Sequence, residues 1–543
     1  MKRFIKEYPL AVLLLVAAAM LFAHLGLIQT NIMEARNLIS AREMVKDGHW
    51  IFTTLNNQPR YEKPPLPTWI TAMFMLIGGM QSMLLLRLPA ALTCLMLVYF
   101  FYRLAQAMQL KNNQPLVASL ILITSFYIFF AGRDNQWDIY THAFTVVCIF
   151  FLVKAFSHPE HAARHIILAG LFFGFSFLSK GPVSFYGLML SFLVAYFIVY
   201  RNTLGRNLLC VLFVLIIGLL VGFSWPLYVK FFDMQAGTAI SKQAENWSNY
   251  EVKPFWYYWS FFTQSGIWTI PSFIALMYLY IRRRVQNVKA YNFYFLWTII
   301  SVILLSLIPE KKARYLLPVL IPLALNTSFY IQYLIESFKN IKAGFEKGIV
   351  YFSFGLIALI AFAAPVAVYF LFKARLGEYI LWYVLFALIS VCAGIILMRS
   401  LLKQDFHRIF YTTIFFMCGI VITVIPLSKM YYTNSDYYAA SKLNAVEEKL
   451  HIKTYEGDEF VPEITWDYGD YMPNLSNGKS ISMPADSVFG LLIDSTSLPN
   501  YRQTFPGYTF NKYAVVDLNA PSKNEKSYNS RLVKEYYIVR KAN

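Results

Sequence analysis

The sequence predicts a mainly α-helical, polytopic membrane protein with a small α/β domain at its C-terminal end. Three observations carry this. Apolar runs long enough to cross a bilayer recur along most of the chain. Charged residues make up only 14% of the 543, against roughly 25% in soluble domains. After about residue 429, charged and polar residues return with Pro, Asn and Ser punctuation.

Composition narrows the function classes. Hydrophobic residues reach 57% and aromatics 18%, and mean hydropathy is +0.47. A lipid-facing surface explains the missing charge, because each charge in hydrocarbon is costly. Trp and Tyr concentrate at membrane interfaces, which explains the aromatics. The net charge of +18 would suggest nucleic acid in a soluble protein. In a membrane protein it reports loops facing anionic headgroups and phosphate-bearing substrates, and no nucleic-acid partner is expected. Cys94, Cys148, Cys210, Cys392 and Cys418 all lie in apolar runs, far apart in sequence. They read as small hydrophobes, with neither disulfide nor zinc spacing.

A spanning helix needs about 20 apolar residues. The first run extends from Pro9 to about Gln29, behind the basic Lys2-Arg3 start. It is longer than a signal peptide's apolar core, so it reads as an uncleaved first span. Further spans are expected near 86–108, 116–132, 138–156, 165–179, 183–200, 207–230, 256–281, 291–308, 314–334, 348–373, 378–398 and 408–428, thirteen in all. Residues 64–80 are apolar but interrupted by Pro and Gly, and read as a helix lying at the interface. With the N-terminus inside, the inside loops hold Lys111, Arg201, Arg206, Arg282-Arg283-Arg284, Lys339, Lys342, Arg399 and Lys403. The positive-inside rule favours this orientation. The outside loops, however, hold nearly as many Lys and Arg, together with Glu34, Glu62, Asp138, Glu245 and Glu310. Those outside charges need a reason of their own.

The expected domains are residues 1–428 in the membrane, with a first outside loop at about 30–85, and 429–543 outside. In the latter, Asn434-Ser435-Asp436 offers a helix cap ahead of Leu443, Val446 and Leu450 at helical spacing. Strands are expected at Val488–Leu492, Tyr513–Val516 and Tyr536–Val539.

The candidate motifs lie in the outside loops. The first carries Glu34-Ala35-Arg36, Arg42-Glu43-Met44, Gly48-His49-Trp50 and Tyr61-Glu62-Lys63-Pro64-Pro65-Leu66. Glu34, Leu38, Ala41 and Val45 share one helical face, which suggests a short interfacial helix. Pro64 and Pro65 hold Glu62 and Lys63 in a fixed geometry. Arg133-Asp134-Asn135-Gln136-Trp137-Asp138 follows, with Asp138 opening a helix where a carboxylate caps well. Lys180-Gly181-Pro182 joins two spans, and Lys180 there reads equally as a side chain snorkelling to the interface. Glu310-Lys311-Lys312-Ala313-Arg314-Tyr315 and the aromatic loop 253–258 read equally as interfacial anchors. Glu245-Asn246-Trp247 sits in the same long loop. His24 and His142 are lone histidines in apolar runs, read as hydrogen-bonded core. Lys and Arg pair with phosphate oxygens, and a nearby carboxylate suits general-base work. An anionic lipid-phosphate substrate at the membrane surface fits the recurring pattern.

These residues resemble the membrane glycosyltransferases of the protein mannosyltransferase and lipid A aminoarabinose transferase group. The resemblance rests on the first-loop motifs, on Arg133 with Asp138, on Lys180-Gly181-Pro182, and on Lys312 with Tyr315-Leu316-Leu317-Pro318, over about residues 1–325. It implies a GT-C fold, a polyprenyl-phosphate sugar donor and transfer on the periplasmic face with inversion at the anomeric carbon. The protein would sit in a bacterial inner membrane with its C-terminal domain in the periplasm. Arg36, Lys63, Arg133, Lys180, Lys312 and Tyr315 would bind the donor phosphate. Glu62 would match a carboxylate able to hold a divalent metal, and no organic cofactor is implied. Glu34 and Asp138 would be the catalytic carboxylates. The family carries Asp-Glu where this chain has Met33-Glu34, so the reaction-centre aspartate is replaced. Either Glu34 or Asp138 takes its role, or the acceptor is already anionic and needs no base. The implied acceptor is a lipid A-type glycolipid. The competing readings are a protein O-mannosyltransferase-like enzyme, a transporter or flippase for lipid-linked sugars, and a cell-envelope scaffold. Few mid-span charges and no internal repeat speak against transport.

Overall fold

The computed structural model describes residues 2–110, 112–201, 204–234, 236–238, 251–342, 344–476 and 480–542. Lys111 and Glu245-Asn246-Trp247 lie outside them. Nine helices among the described residues are long and apolar enough to cross a membrane, from Met83–Ala107 to Phe406–Tyr431. Shorter apolar helices, Pro9–Phe22, Gln114–Ile123 and Phe185–Val199, occupy three further expected spans. Thus the chain is a multi-pass membrane protein.

Two expected spans are broken. The run 256–281 is not one helix. It forms 3-10 turns at Phe255–Tyr258 and Phe261–Trp268, then helices Thr269–Ala275 and Tyr278–Arg282. Gly266, at φ +67°, reverses the backbone there. Pro271 demands the first turn of a helix, which restarts at Thr269. The run 116–132 breaks after Ile123, where Thr124 Oγ1 and Ser125 Oγ donate to the carbonyls of Leu120 and Ile121 at 2.6 and 2.7 Å. Such back-bonding bends helices.

The chain partitions into two compact units, Met1–Leu27 with Arg60–Leu427, and Ile28–Pro59 with Ser428–Asn543. In the first, helices Ala162–Lys180 and Leu204–Phe232 pack backbone against backbone. A Cβ at Gly170 or Gly174 would fall 2.6 Å from Ile217 or 2.5 Å from Val221. On the partner helix, one at Gly218 or Gly222 would strike Phe173 or Phe177. Small residues four apart on both helices allow this approach, the usual device where lipid gives no hydrophobic drive. It fixes the end of the first helix, where Lys180 sits. The next segment, Phe185–Leu190, is a π-helix. Its loosened carbonyls are taken by Trp297 Nε1 on Leu188 and Ser301 Oγ on Gly187.

In the second unit, strands run in the spatial order Thr454–Glu456, Val488–Ile493, Val533–Lys541, Tyr508–Asp517. The first pair is parallel and the others antiparallel, with Leu491 opposite Tyr537 and Phe510 opposite Val539. The helix expected after Asn434 begins later, at Lys442–Leu450. Asp467 Oδ2 accepts from the backbone of Ala440 and Ser441, so the chain needs no cap at Asn434, whose side chain bonds Asn519 O instead. The first-loop helix is Ile32–Asp47, capped by Asn31 on Met33 N and Glu34 N, and closed by Gly48 at φ +78°. It packs on helix Pro462–Tyr468, so protein covers its apolar face rather than the bilayer interface alone. Arg42 donates to Thr465 O and Asp470 O and lies over the Trp466 ring. Glu43 accepts from Thr54 Oγ1 and Asn57 N.

One buried group in this unit is set against its surroundings. Glu456, on the edge strand, is 1% exposed. Its Oε1 accepts from Val461 N, and its Oε2 has no partner among the described residues. Burial pushes this carboxyl up to about 8. Because the folded state prefers the proton, its contribution is favourable at low pH and is lost as pH rises from about 4.3 to 8. Glu456→Gln keeps the bond to Val461 N. In the full-length chain it is expected to slow hydrogen exchange of strand Val488–Ile493 at pH 8, and to change nothing at pH 4.

Candidate active site

In the membrane unit the site begins with an ion pair. Asp138 stands in the first turn of helix Trp137–Ser157, and Lys180 ends helix Ala162–Lys180. Lys180 Nζ donates to Asp138 Oδ1, with the two side chains 6% and 8% exposed. Lys180 therefore does not snorkel, and Asp138 does more than cap a helix. Their burial is tolerable because they are paired, since either charge alone would carry a desolvation penalty of several kcal/mol. Behind them His142 Nδ1 meets Ser184 Oγ at 3.1 Å, Ser184 donates to Thr145, and Thr145 meets Ser176. His142 is the hydrogen-bonded core histidine the sequence suggests. His24 is half-buried, edge-on to the Trp382 ring.

Around the pair gather groups from three further segments. Lys63, held between Tyr61 and Pro64, is half-buried. Burial, with the positive charges of Lys180 and Arg60, pulls its ammonium down to about 7, and Asp138 and Glu62 oppose this. Tyr61 is itself fixed, its hydroxyl donating to Asp233 Oδ2. Arg60 lies over the Trp137 ring at 4.9 Å. On the other side, Lys180 Nζ lies 4.9 Å from the Tyr315 ring centroid. Tyr315 donates to Glu310 Oε1 at 3.1 Å, and Lys312 Nζ pairs with the same oxygen at 3.2 Å. Tyr258 brackets Lys312, donating to its carbonyl and accepting from its N–H.

The structure thus brings together Lys63, Asp138, Lys180, Lys312 and Tyr315. It adds Arg60, Glu310, Arg314 and Tyr258, which were not among the expected site residues. Arg60 becomes significant only because Trp137 precedes Asp138, a spatial relation that no spacing reveals. Arg133 does not fit the expected role. Its guanidinium donates to Met20 O, Leu21 O and Ala23 O at 2.6–3.0 Å. It caps the C-terminal end of the first apolar helix, which leaves it poorly disposed to hold a phosphate. Glu34 and Arg36 lie in the other compact unit, on helix Ile32–Asp47, with Glu34 1% exposed in its first turn. Glu62 is exposed, beside Lys63. No group of three His, Cys, Asp or Glu able to hold a metal occurs among the described residues. Glu62 belongs to no such group.

A cluster that gathers several cations around a tyrosine and few carboxylates is suited to an anionic guest. The comparisons agree with that chemistry. The dolichyl-phosphate-mannose-protein mannosyltransferase family matches residues 62–226. Undecaprenyl phosphate-α-4-amino-4-deoxy-L-arabinose arabinosyl transferase 2 of Proteus mirabilis is 27% identical over 347 residues, 60% of each chain. The Shewanella sediminis transferase of the same name is 26% identical over 337 residues, 58% of each. The chain spans about three-fifths of the length of these curated relatives. In three dimensions, ArnT from Cupriavidus metallidurans bound to undecaprenyl phosphate superposes with a TM-score of 0.70, at 15% identity, over 98% of both chains. The chain has the GT-C fold. Its resemblance to the aminoarabinose transferases therefore holds in sequence over about three-fifths of the chain and in fold over nearly the whole chain. The GT-C frame also accounts for the broken helices, since irregular backbone at membrane depth is tolerated where protein or a cavity encloses it.

Pairing across this GT-C site predicts a specific non-additivity. Asp138→Asn leaves the Lys180 ammonium buried and unpaired, and is expected to cost about 3–5 kcal/mol. Adding Lys180→Met should restore most of that loss. Thermal unfolding of the purified chain in detergent measures both; additive losses would mean the pair is not coupled.

Proposed function

We propose that the chain is an integral-membrane glycosyltransferase that moves a sugar from a polyprenyl-phosphate donor to an acceptor on the membrane face carrying Lys63 and Lys180. We assign that face to the periplasm of a bacterial inner membrane, with the N-terminus cytoplasmic and the C-terminal domain periplasmic. The acceptor we propose is a lipid A-type glycolipid, as for the aminoarabinose transferases it resembles. The observation that carries the reading is the cluster of Arg60, Lys63, Lys180, Lys312 and Arg314 around Asp138.

In the reaction an acceptor oxygen forms a bond to the anomeric carbon of the sugar. The bond from that carbon to the phosphate oxygen breaks, and its electron pair leaves with polyprenyl phosphate. Negative charge therefore grows on the phosphate oxygens in the transition state. Lys63, half-buried and without an ion pair among the described residues, would meet that charge. Lys180 would reinforce it from behind, its pairing with Asp138 keeping it oriented. Fixed donors aimed at developing charge in a water-poor site are the largest catalytic contribution available here. Asp138, already accepting from Lys180, is poorly placed as a free base. We assign it the orientation of Lys180. With Met33 in place of an aspartate, the reading that needs fewest groups is an acceptor phosphate, already ionised, with no proton to remove.

The test uses the purified full-length chain, a polyprenyl-phosphate aminoarabinose donor and lipid A, with transfer followed by mass spectrometry. Lys63→Ala is expected to lower kcat/KM by about 10²–10³. Glu34→Gln is expected to retain near-full turnover; its loss would make Glu34 the base and refute the phosphate acceptor. A chelator is expected to leave the rate unchanged. No turnover with any lipid-linked donor, alongside transport of that donor across vesicles, would overturn the enzyme reading.

A further inference from the structure

The end of the membrane unit opposite Lys180 carries a second basic feature. Helix Ala162–Lys180 ends at the site, and the chain returns through Phe185–Val199 to Tyr200 on the far side. Helix Val288–Leu307 starts beside Tyr200 and runs back towards Glu310. Between these two helices lies a groove of about 800 Å³, walled by Ile198, Val199, Phe295 and Leu296. Tyr278, Lys289 and Asn292 supply its polar groups.

Three features point to an anionic, two-part occupant. First, positive charge is left over. Lys289 Nζ lies over the Tyr200 ring at 4.7 Å, and Arg282 lies over Tyr278 at 5.6 Å. Arg282, Arg283 and Lys289 are exposed, and none has an ion pair among the described residues. Two carboxylates lie nearby: Glu346 is consumed by Arg284 through two bonds of 3.1 and 3.0 Å, and Glu336 accepts from Gln286 and Gln332 at 3.2 and 2.6 Å. Second, the groove opens at the N-terminal turn of the 20-residue helix Val288–Leu307, where the helix dipole favours an anion. Third, the side-chain Oδ1 of Asn292, within the groove, is buried and has no donor among the described residues. An acceptor awaiting a donor, beneath cations and above an apolar trough, matches a phosphate whose headgroup carries hydroxyls and whose acyl chain runs along the helices.

We propose that this groove binds an anionic glycerophospholipid of phosphatidylglycerol chemistry, in the leaflet opposite the one that meets Lys63. The phosphate would face Arg282, Arg283 and Lys289, a glycerol hydroxyl would donate to Asn292, and an acyl chain would lie against Phe295 and Leu296. Basic pockets between helices bind anionic headgroups by the same electrostatics. This assignment does not depend on the glycosyltransferase reading.

Native mass spectrometry of the full-length chain in detergent, with phosphatidylglycerol or phosphatidylcholine added, tests it. Phosphatidylglycerol is expected to be retained and phosphatidylcholine lost. Retention should fall about ten-fold or more in the R282Q/R283Q/K289Q variant. Leu296→Trp keeps every charge but fills the trough, and should also lower retention, which guards against misfolding of the triple variant. Lys63→Ala should leave retention intact, separating this groove from the donor site. Equal retention of both lipids, unchanged retention in the triple variant, or full displacement by millimolar inorganic phosphate would overturn the proposal.

Discussion

The membrane unit is organised around the cost of burying charge. A lone ammonium in a helix bundle carries a penalty that no packing contact offsets, whereas the Asp138–Lys180 pair makes burial of both tolerable. Keeping the pair requires two helix ends to hold fixed positions. The reciprocal glycines, Gly170 and Gly174 against Gly218 and Gly222, lock one helix by backbone approach. The chain His142–Ser184–Thr145–Ser176 ties the other to it through side chains that are all buried. Such a network is stabilising only when every member is satisfied. The π-segment that follows Ser184 obeys the same logic, since Trp297 and Ser301 take the carbonyls it loosens. π-helical turns of this kind occur frequently at functional sites.

Much of the fold was legible because lipid simplifies the code. Of the thirteen expected spans, nine coincide with helices long and apolar enough to cross and three with shorter apolar helices among the described residues, since hydrophobic length is the main signal of a crossing. What length could not reveal was continuity. Residues 256–281 and 116–132 are apolar enough to cross, yet break at Gly266 with Pro271 and at Thr124 with Ser125. Hydropathy averages over such local chemistry. Three of the four C-terminal strands were legible from their β-branched and aromatic runs; the three-residue edge strand Thr454–Glu456 was too short to show. The helix cap at Asn434 was not, because the group that receives the helix amides, Asp467, lies 27 residues beyond Ala440.

The site was legible in kind but not in membership. Lys63, Asp138, Lys180, Lys312 and Tyr315 share a cluster, while Arg133, of the same charge and in an adjacent motif, is spent on three carbonyls. Sequence cannot distinguish a cation facing a cavity from one that caps a helix, because both are polar residues at the end of a span. The first-loop motifs divide in the same way. Arg42 and Glu43 bind Thr465 O, Asp470 O and Thr54, so this part of the motif organises the second unit. Glu34 stands buried at the capped start of the same helix.

The balance of charge around Asp138 carries the chemistry one step further. Arg60, Lys63, Lys180, Lys312 and Arg314 interact with one another and with Glu62, Asp138 and Glu310. Five cationic side chains against three carboxylates leave an excess of between one and two positive charges near neutral pH, because Lys63 is pulled down to about 7. Like-charge crowding is what depresses Lys63, after burial itself. A cluster so charged favours an anionic guest, and the attraction grows with the charge of that guest. A phosphodiester donor brings one negative charge, and the phosphomonoester that departs brings up to two. In the proposed transfer the cluster would therefore be better matched to the product phosphate than to the intact donor. An arrangement that binds the developing charge more strongly than the starting charge is the condition for accelerating its formation. In the transfer proposed above, the same preference would favour retention of polyprenyl phosphate and slow the release of the spent carrier.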